Sequence, residues 1–258
     1  MASISIFCPN SINILAGING IEVSQSILIA TLLVINDLLY LIPFPSSSSS
    51  TSSSTVLTPN PATDPHLFSL YILLPFLGTS LALLTQNWYP ARVFVGDTYC
   101  YFAGMVFAVV GIQGHFSKTL LLLFLPQIFN FIYSAPQLFH LLPCPRHRLP
   151  HFNARSGLLE PSMAVFDRRL APPVEKTLKL LARLHLVRLQ YDDKNAGDAV
   201  IACSNLTLLN LWLVWFGPMR EDRLALGILT LAAGCGIAGL LVRHQLALWV
   251  FREDNLRF

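Results

Sequence analysis

The chain has 258 residues, 53% of them hydrophobic and 12% charged, with a formal net charge of +3 and a mean hydropathy of +0.56. That balance is too apolar and too poor in charge for a soluble domain of this size, so an integral membrane protein is expected. The expected fold class is all-α, a polytopic membrane helix bundle with about five transmembrane helices in a single membrane domain over 1–258, in contact with the lipid bilayer and with no nucleic acid.

Met1 to Phe7 lacks a basic n-region, and a polar, Asn-rich segment follows it, so no secretory signal peptide is expected. On a helix, Asn10, Asn13, Gly17 and Gly20 would fall at steps of three, four and three, gathering amides and small residues opposite Ile12 and Leu15. Such a face either admits a ligand close to the backbone at Gly17 or packs against another helix, and judged alone the packing reading is the stronger. Runs of roughly 17 to 25 apolar residues give five spans at about 21–44, 67–85, 93–113, 119–142 and 223–250. In the first, Glu22 and Asp37 bracket a short uncharged core, with Asp37 placed near an interface.

Residues 45–66 are rich in Ser and Thr and carry Pro59, Pro61 and Pro65, a composition expected to form a disordered loop. The third span opens with Asp97, in Phe94-Val95-Gly96-Asp97-Thr98. A carboxylate at the edge of hydrocarbon is costly and usually has a cationic partner. Asp97 is either a helix-start acid favoured by the macrodipole or a site residue beside Phe94, three positions away on the same helical face. The fourth span contains Pro126 and Pro136 and leads to Pro143-Cys144-Pro145-Arg146-His147-Arg148, which is either an interfacial basic anchor or a receptor for phosphate oxygens.

Eleven of the 17 Lys and Arg lie between Pro143 and Asp222. The positive-inside rule therefore puts 143–222 in the cytosol as a loop region, together with Asp97. Within it, 206–216 is apolar but too short to span, and with Trp212 and Trp215 it reads as a helix lying in the interface. Asn205-Leu206-Thr207 is a formal glycosylation sequon that this topology leaves unused. The five cysteines follow no metal-ligand or disulfide spacing, and His115, Lys118 and His140 read as polar residues at span ends.

An amide face, a carboxylate with an aromatic neighbour and a cationic loop on one membrane face are suited to phosphoryl transfer with Mg²⁺. Four segments carry a closer likeness: Asn13-Ile14-Leu15-Ala16-Gly17-Ile18-Asn19-Gly20; Asn87-Trp88-Tyr89-Pro90 with Arg92 to Thr98; Gly114-His115-Phe116-Ser117-Lys118; and Pro143 to Arg148. In these, and in their order, the chain resembles the eukaryotic UDP-N-acetylglucosamine:dolichyl-phosphate N-acetylglucosamine-1-phosphate transferases, the polyprenyl-phosphate sugar-1-phosphate transferase family. The resemblance implies transfer of N-acetylglucosamine-1-phosphate from UDP-N-acetylglucosamine to dolichyl phosphate with release of UMP. That is the first step of dolichol-linked oligosaccharide synthesis for N-glycosylation, a step blocked by tunicamycin.

The resemblance also implies an endoplasmic reticulum membrane location, a cytosolic active face and Mg²⁺ as cofactor. It implies that Asp97 and Arg146 are catalytic and that Asp97 and Asn13 share the metal. Phe94 would stack on uracil, Gly17 and Asn19 would contact the uridine, Arg146 would face the pyrophosphate, and His147 and Arg148 would face the sugar. Family members carry about ten spans, with an acidic pair and a lysine ahead of the segment matched here. The chain is therefore expected to resemble the C-terminal half and to be inactive alone. The alternatives are a non-catalytic subunit or relic, half of a split transferase paired with a missing N-terminal half, or, in partnership, a homodimer.

Overall fold

The computed structural model describes residues 1–41, 64–166, 172–191 and 200–246. The chain opens with α1 (Ala2–Ile14), α2 (Ile21–Leu41), α3 (Asp64–Asn87) and α4 (Gly96–Gln113), followed by α5 (Ser117–Leu123) and α6 (Leu125–Leu138). Among the described residues, three helices are long and apolar enough to cross a membrane: α2, α3 and the last helix, Glu221–Gln245. The chain is thus an all-α polytopic membrane protein in its main architecture. A fourth crossing requires α5 and α6 to act as one span, but they are bent by 68°. The apolar run over 119–142 is interrupted where its first proline predicts a break. Pro126 sits in the first turn of α6, where its missing N–H and fixed φ suit a helix start and break the ladder from α5.

The front of the chain also departs from expectation. Residues 2–14 form a helix that buries Cys8, Pro9, Ser11 and Ile12, and it lies so close to α4 that a Cβ on Gly104 would come within 2.3 Å of Pro9. Because α1 ends at Ile14, the expected helical face of Asn10, Asn13, Gly17 and Gly20 does not form. Gly17 (φ +116°) and Gly20 (φ +83°) turn the chain instead. Asn10 stays on the exposed side, donating to its own helix at Ile6 O (2.7 Å). The 45–66 loop lies outside the described residues except for 64–66, which begin α3.

The largest apolar core joins α1 to α6 through Ile12, Leu33, Leu73, Phe107 and Phe124. Asp37 sits near the C-terminal end of α2. It is fully buried between α2 and α3, where its carboxylate pairs with His66 Nδ1 (2.7 Å) and accepts from Ser69 Oγ. The His66 ring is stacked between Tyr40 and Phe116. Burial of a carboxylate requires such partners, since an unpaired one would cost several kcal/mol.

The described residues of the 143–222 region form strands and helices rather than an open loop. Strands β1 (His151–Asn153) and β2 (Leu158–Glu160) form an antiparallel hairpin, and β3 (Met163–Val165), β4 (Leu189–Tyr191) and β5 (Val200–Ser204) form an antiparallel sheet in the order β3-β5-β4. Helix α7 (Pro172–Arg183) packs on this sheet through Leu178, within a core that includes Leu142, Ala164 and Leu206. Helix α8 (Leu208–Phe216) does not simply lie in the interface. Leu208, Leu209, Asn210, Leu211 and Leu213 are buried, in a core shared with Leu15, Ile21, Leu224 and Ile228, and only Trp215 and Phe216 are exposed.

Helix α9 (Glu221–Leu241) then runs into a π-helical turn, Val242–Leu246. A polar stripe on α6 clamps the turn before α8. Asn130 Oδ1 accepts from Leu208 N (2.8 Å), Ser134 Oγ donates to Leu206 O (2.6 Å), and Gln137 accepts from Leu206 N (2.8 Å) while donating to Asn205 Oδ1 (2.9 Å). Asn205 is therefore buried, which closes the sequon on structural grounds independent of topology.

Candidate functional site

Three loops meet at the N-terminal ends of α2 and α4 around a cavity of about 650 Å³. The first is the turn from α1 to α2. The carbonyls that α1 leaves open at its end are met by Gln25, whose Nε2 donates to Ile12 O (3.2 Å) and Leu15 O (3.1 Å), and Gln127 Nε2 in turn donates to Gln25 Oε1 (3.0 Å). Gln25 thus sets where Asn13 and the following turn lie. The turn itself is held by carboxylates at both ends. Gly17 N donates to Glu22 Oε1 (3.1 Å), and Asn19 donates to Glu221 of α9 from its backbone N (2.6 Å) and its Nδ2 (3.3 Å).

The second loop, between α3 and α4, is closed by Asn87 Nδ2 donating to Val93 O (2.9 Å), and it contains a cis Tyr89–Pro90 peptide. Phe94 precedes α4, so it and Asp97 do not share a helical face as the spacing suggested. Gly96 at φ +62° separates them. They nonetheless line the same cavity, with Phe94 85% exposed and Asp97 exposed in the first turn of α4.

The third loop, from Pro143 to Leu149, is suspended from α8 and does not stand on its prolines alone. Asn210 is fully buried, donates Nδ2 to Arg148 O (2.9 Å), and accepts from Ser162 N at Oδ1 (2.9 Å). Arg146 and His147 are exposed to the cavity. One guanidinium nitrogen of Arg148 is buried without a hydrogen-bond partner among the described residues. A half-buried guanidinium with an unused donor beside the cavity is suited to take an anionic oxygen.

Asn13, Gly17, Phe94, Asp97, Arg146, His147 and Arg148 all line the larger cavity. Asn19 does not. It lines an adjoining slot of about 120 Å³ with Gly17, Asn87, Phe94 and Glu221. Sequence reasoning missed three residues that the geometry brings in. Glu22 reads in sequence only as the polar edge of a span, yet it is buried and borders both spaces. Glu221 and Asn210 gave no local signal, because their partners lie 202 and 62 residues away.

Among the described residues, no group of three His, Cys, Asp or Glu side chains could hold a metal ion by itself. The oxygens of Asp97 and Asn13 in one cavity suit a hard cation that keeps waters or ligand phosphates in its shell.

Fold and site together define a polytopic membrane protein with a cavity walled by two carboxylate-bearing helix starts and one cationic loop. Residues 1–115 match the family model described as glycosyl transferase family 4. The chain is 56% identical over 257 residues to the UDP-N-acetylglucosamine–dolichyl-phosphate N-acetylglucosaminephosphotransferase of Saccharomyces cerevisiae, covering 99% of this chain and 54% of that protein. It is 49% identical over 261 residues to the protein of the same name in Schizosaccharomyces pombe, covering 99% of this chain and 55% of that protein. For the Dictyostelium discoideum counterpart the figures are 46% over 247 residues, 94% and 49%. The chain spans about half the length of the curated relatives it matches. It belongs to glycosyl transferase family 4.

Proposed function

We propose that this chain carries site residues for transfer of N-acetylglucosamine-1-phosphate from UDP-N-acetylglucosamine to dolichyl phosphate, releasing UMP, at the cytosolic face of the endoplasmic reticulum membrane. What supports the reading is that seven residues singled out from three distant segments line one cavity of about 650 Å³. The names of the relatives point to the same donor and acceptor.

In the reaction, a non-bridging oxygen of dolichyl phosphate forms a bond to the β-phosphorus. The bond from that phosphorus to the bridging oxygen breaks, and the electron pair leaves with UMP. Phe94, exposed at the mouth, offers a face for the uracil ring, while the Gly17 turn lets the base approach the backbone. Arg146 and Arg148, which has one guanidinium nitrogen without a partner among the described residues, neutralise phosphate oxygens, and Arg presents paired donors suited to them. Asp97 and Asn13 would hold Mg²⁺, which when bound supplies charge neutralisation on the pyrophosphate. Mg²⁺ fits because the donors are hard oxygens and too few to saturate its shell.

The test is a replacement. The matching segment of the S. cerevisiae relative is exchanged for this chain, and membranes are assayed with sugar-labelled UDP-N-acetylglucosamine, dolichyl phosphate and Mg²⁺. The expected result is labelled dolichyl-pyrophosphoryl-N-acetylglucosamine that is inhibited by tunicamycin and falls at least about a hundredfold with Asp97→Asn, on the scale of losing a charged group in the transition state. Equal product from the wild-type and Asp97→Asn exchanges, or none from the wild-type exchange, refutes the proposal.

A further inference from the structure

The slot beside the main cavity has an uneven supply of hydrogen-bonding groups. Asn19 reaches it from the α1–α2 turn and Asn87 from the end of α3. Both amides have their nitrogen engaged. Asn87 Nδ2 donates to Val93 O (2.9 Å), leaving Oδ1 buried and without a partner among the described residues. Asn19 Nδ2 donates to Glu221 Oε2 (3.3 Å), while the other oxygen of the same carboxylate accepts from Asn19 N (2.6 Å). An acid in the first turn of α9 is favoured by the helix dipole whichever way it points. Clasping one residue with both oxygens, across 202 positions of sequence, is a more specific arrangement than the dipole requires.

The clasp has a chemical consequence. An asparagine side chain carries a C=O acceptor and an NH₂ donor of nearly the same shape, so an unrestrained amide can turn over and present either order. A carboxylate accepts only. If the Asn19 amide turned over, its Oδ1 would face Glu221 Oε2, oxygen against oxygen, and the bond would become a repulsion. Glu221 therefore holds the amide in one orientation, with Oδ1 and the second N–H left for a ligand.

A ligand edge that pairs with this order offers an N–H beside a carbonyl, as the imide edge of uracil does with N3–H and O4. Cytosine offers the reverse, an acceptor at N3 and a donor at N4.

We propose that Glu221 is a positioning residue that sets base selectivity: by locking the Asn19 amide it makes the slot accept a uracil-type imide edge and reject cytosine. This rests on the reading of the site as one for a uridine nucleotide. The sign of one substitution is distinctive. In Glu221→Gln the carboxamide oxygen still accepts from Asn19 N, but the other atom becomes an NH₂ group and favours Asn19 Oδ1 opposite it, turning the amide toward the order that reads cytosine.

The experiment measures UDP and CDP binding calorimetrically, with magnesium chloride, to the full chain in lipid nanodiscs. The wild type is expected to bind UDP in preference to CDP. Glu221→Gln is expected to lower the UDP-to-CDP affinity ratio by roughly tenfold or more, as reversal of a buried hydrogen-bond pair implies, with CDP binding strengthened. Glu221→Ala is expected to narrow the ratio by losing UDP affinity alone. Because the ratio is taken within one preparation, partial unfolding of a variant does not move it. A wild-type ratio retained in Glu221→Gln overturns the inference and leaves the uridine-nucleotide reading standing, whereas equal wild-type binding of UDP and CDP overturns the inference together with the uridine preference it rests on. A wild type that binds neither nucleotide overturns that reading and the inference with it.

Discussion

Replacing Gly17 by alanine tests whether the α1–α2 turn forms the site as described. Gly17 has φ +116°, beyond even the left-handed helical well, and an added Cβ would lie 1.9 Å from Leu149 Cδ2. These two penalties are separable. Leu149 is exposed and meets the new atom with the far end of its side chain, so a rotamer change relieves the clash at about 0.5–1.5 kcal/mol. The backbone has no such escape, and holding a non-glycine residue there costs about 1–3 kcal/mol.

The sum is about 1.5–4.5 kcal/mol, divided between unfolding stability and ligand affinity according to whether the turn keeps its shape in the free protein. Both are measured on one preparation, by thermal unfolding in nanodiscs and by UDP titration. Gly17→Ala is expected to show the combined loss, and Gly17→Ala with Leu149→Ala to regain only the smaller, side-chain part. If Gly17→Ala changes neither quantity by as much as about 0.5 kcal/mol, the positive φ does not constrain the turn. If Leu149→Ala restores everything, sterics and not backbone conformation govern it.

Two further predictions concern groups outside the turn. Asn210→Ala leaves Arg148 O and Ser162 N without their buried partner and should lower unfolding stability by about 2–4 kcal/mol, whereas Asn210→Asp keeps an acceptor for Ser162 N but cannot donate to Arg148 O. UDP affinity should fall in both variants, and undiminished affinity in Asn210→Asp would show that Arg148 does not depend on this suspension. Burial pushes the Cys203 thiol up to about 12, so at pH 8 only about one in 10⁴ is thiolate, and the half-buried Cys144 should react with a maleimide far faster. Peptide mapping by mass spectrometry checks this, and equal labelling of the two in folded protein would contradict the β5 core.

Membrane class was legible in the sequence because span length and charge depletion are local properties that the bilayer reads directly. Asp97, Phe94, Asn13 and the Arg146–Arg148 loop were legible as polar groups in short motifs, and the structure gathers them around one cavity. Errors came where local periodicity was extended past a turn. The assumed helix through Gly17 and Gly20 stops at Ile14, whereas the break of the fourth span falls at Phe124, beside the Pro126 visible in the sequence.

Other features required the tertiary structure, because each depends on atoms far apart in the chain. Asp37 reads only as an acid near the end of a span, and α3 brings His66 and Ser69 to it. Residues 143–222 read as a basic loop because their strands have only three to five residues each, too short to show an alternating pattern, and β3 pairs with β5 across an intervening helix. Glu221 is unremarkable at the start of an apolar run, and only the packing of α9 beside the α1–α2 turn places its carboxylate on Asn19. Sequence alone thus determined the solvent of this protein and the chemical types at its site. Tertiary structure decided their orientation, because a hydrogen bond is directional and hydropathy is not.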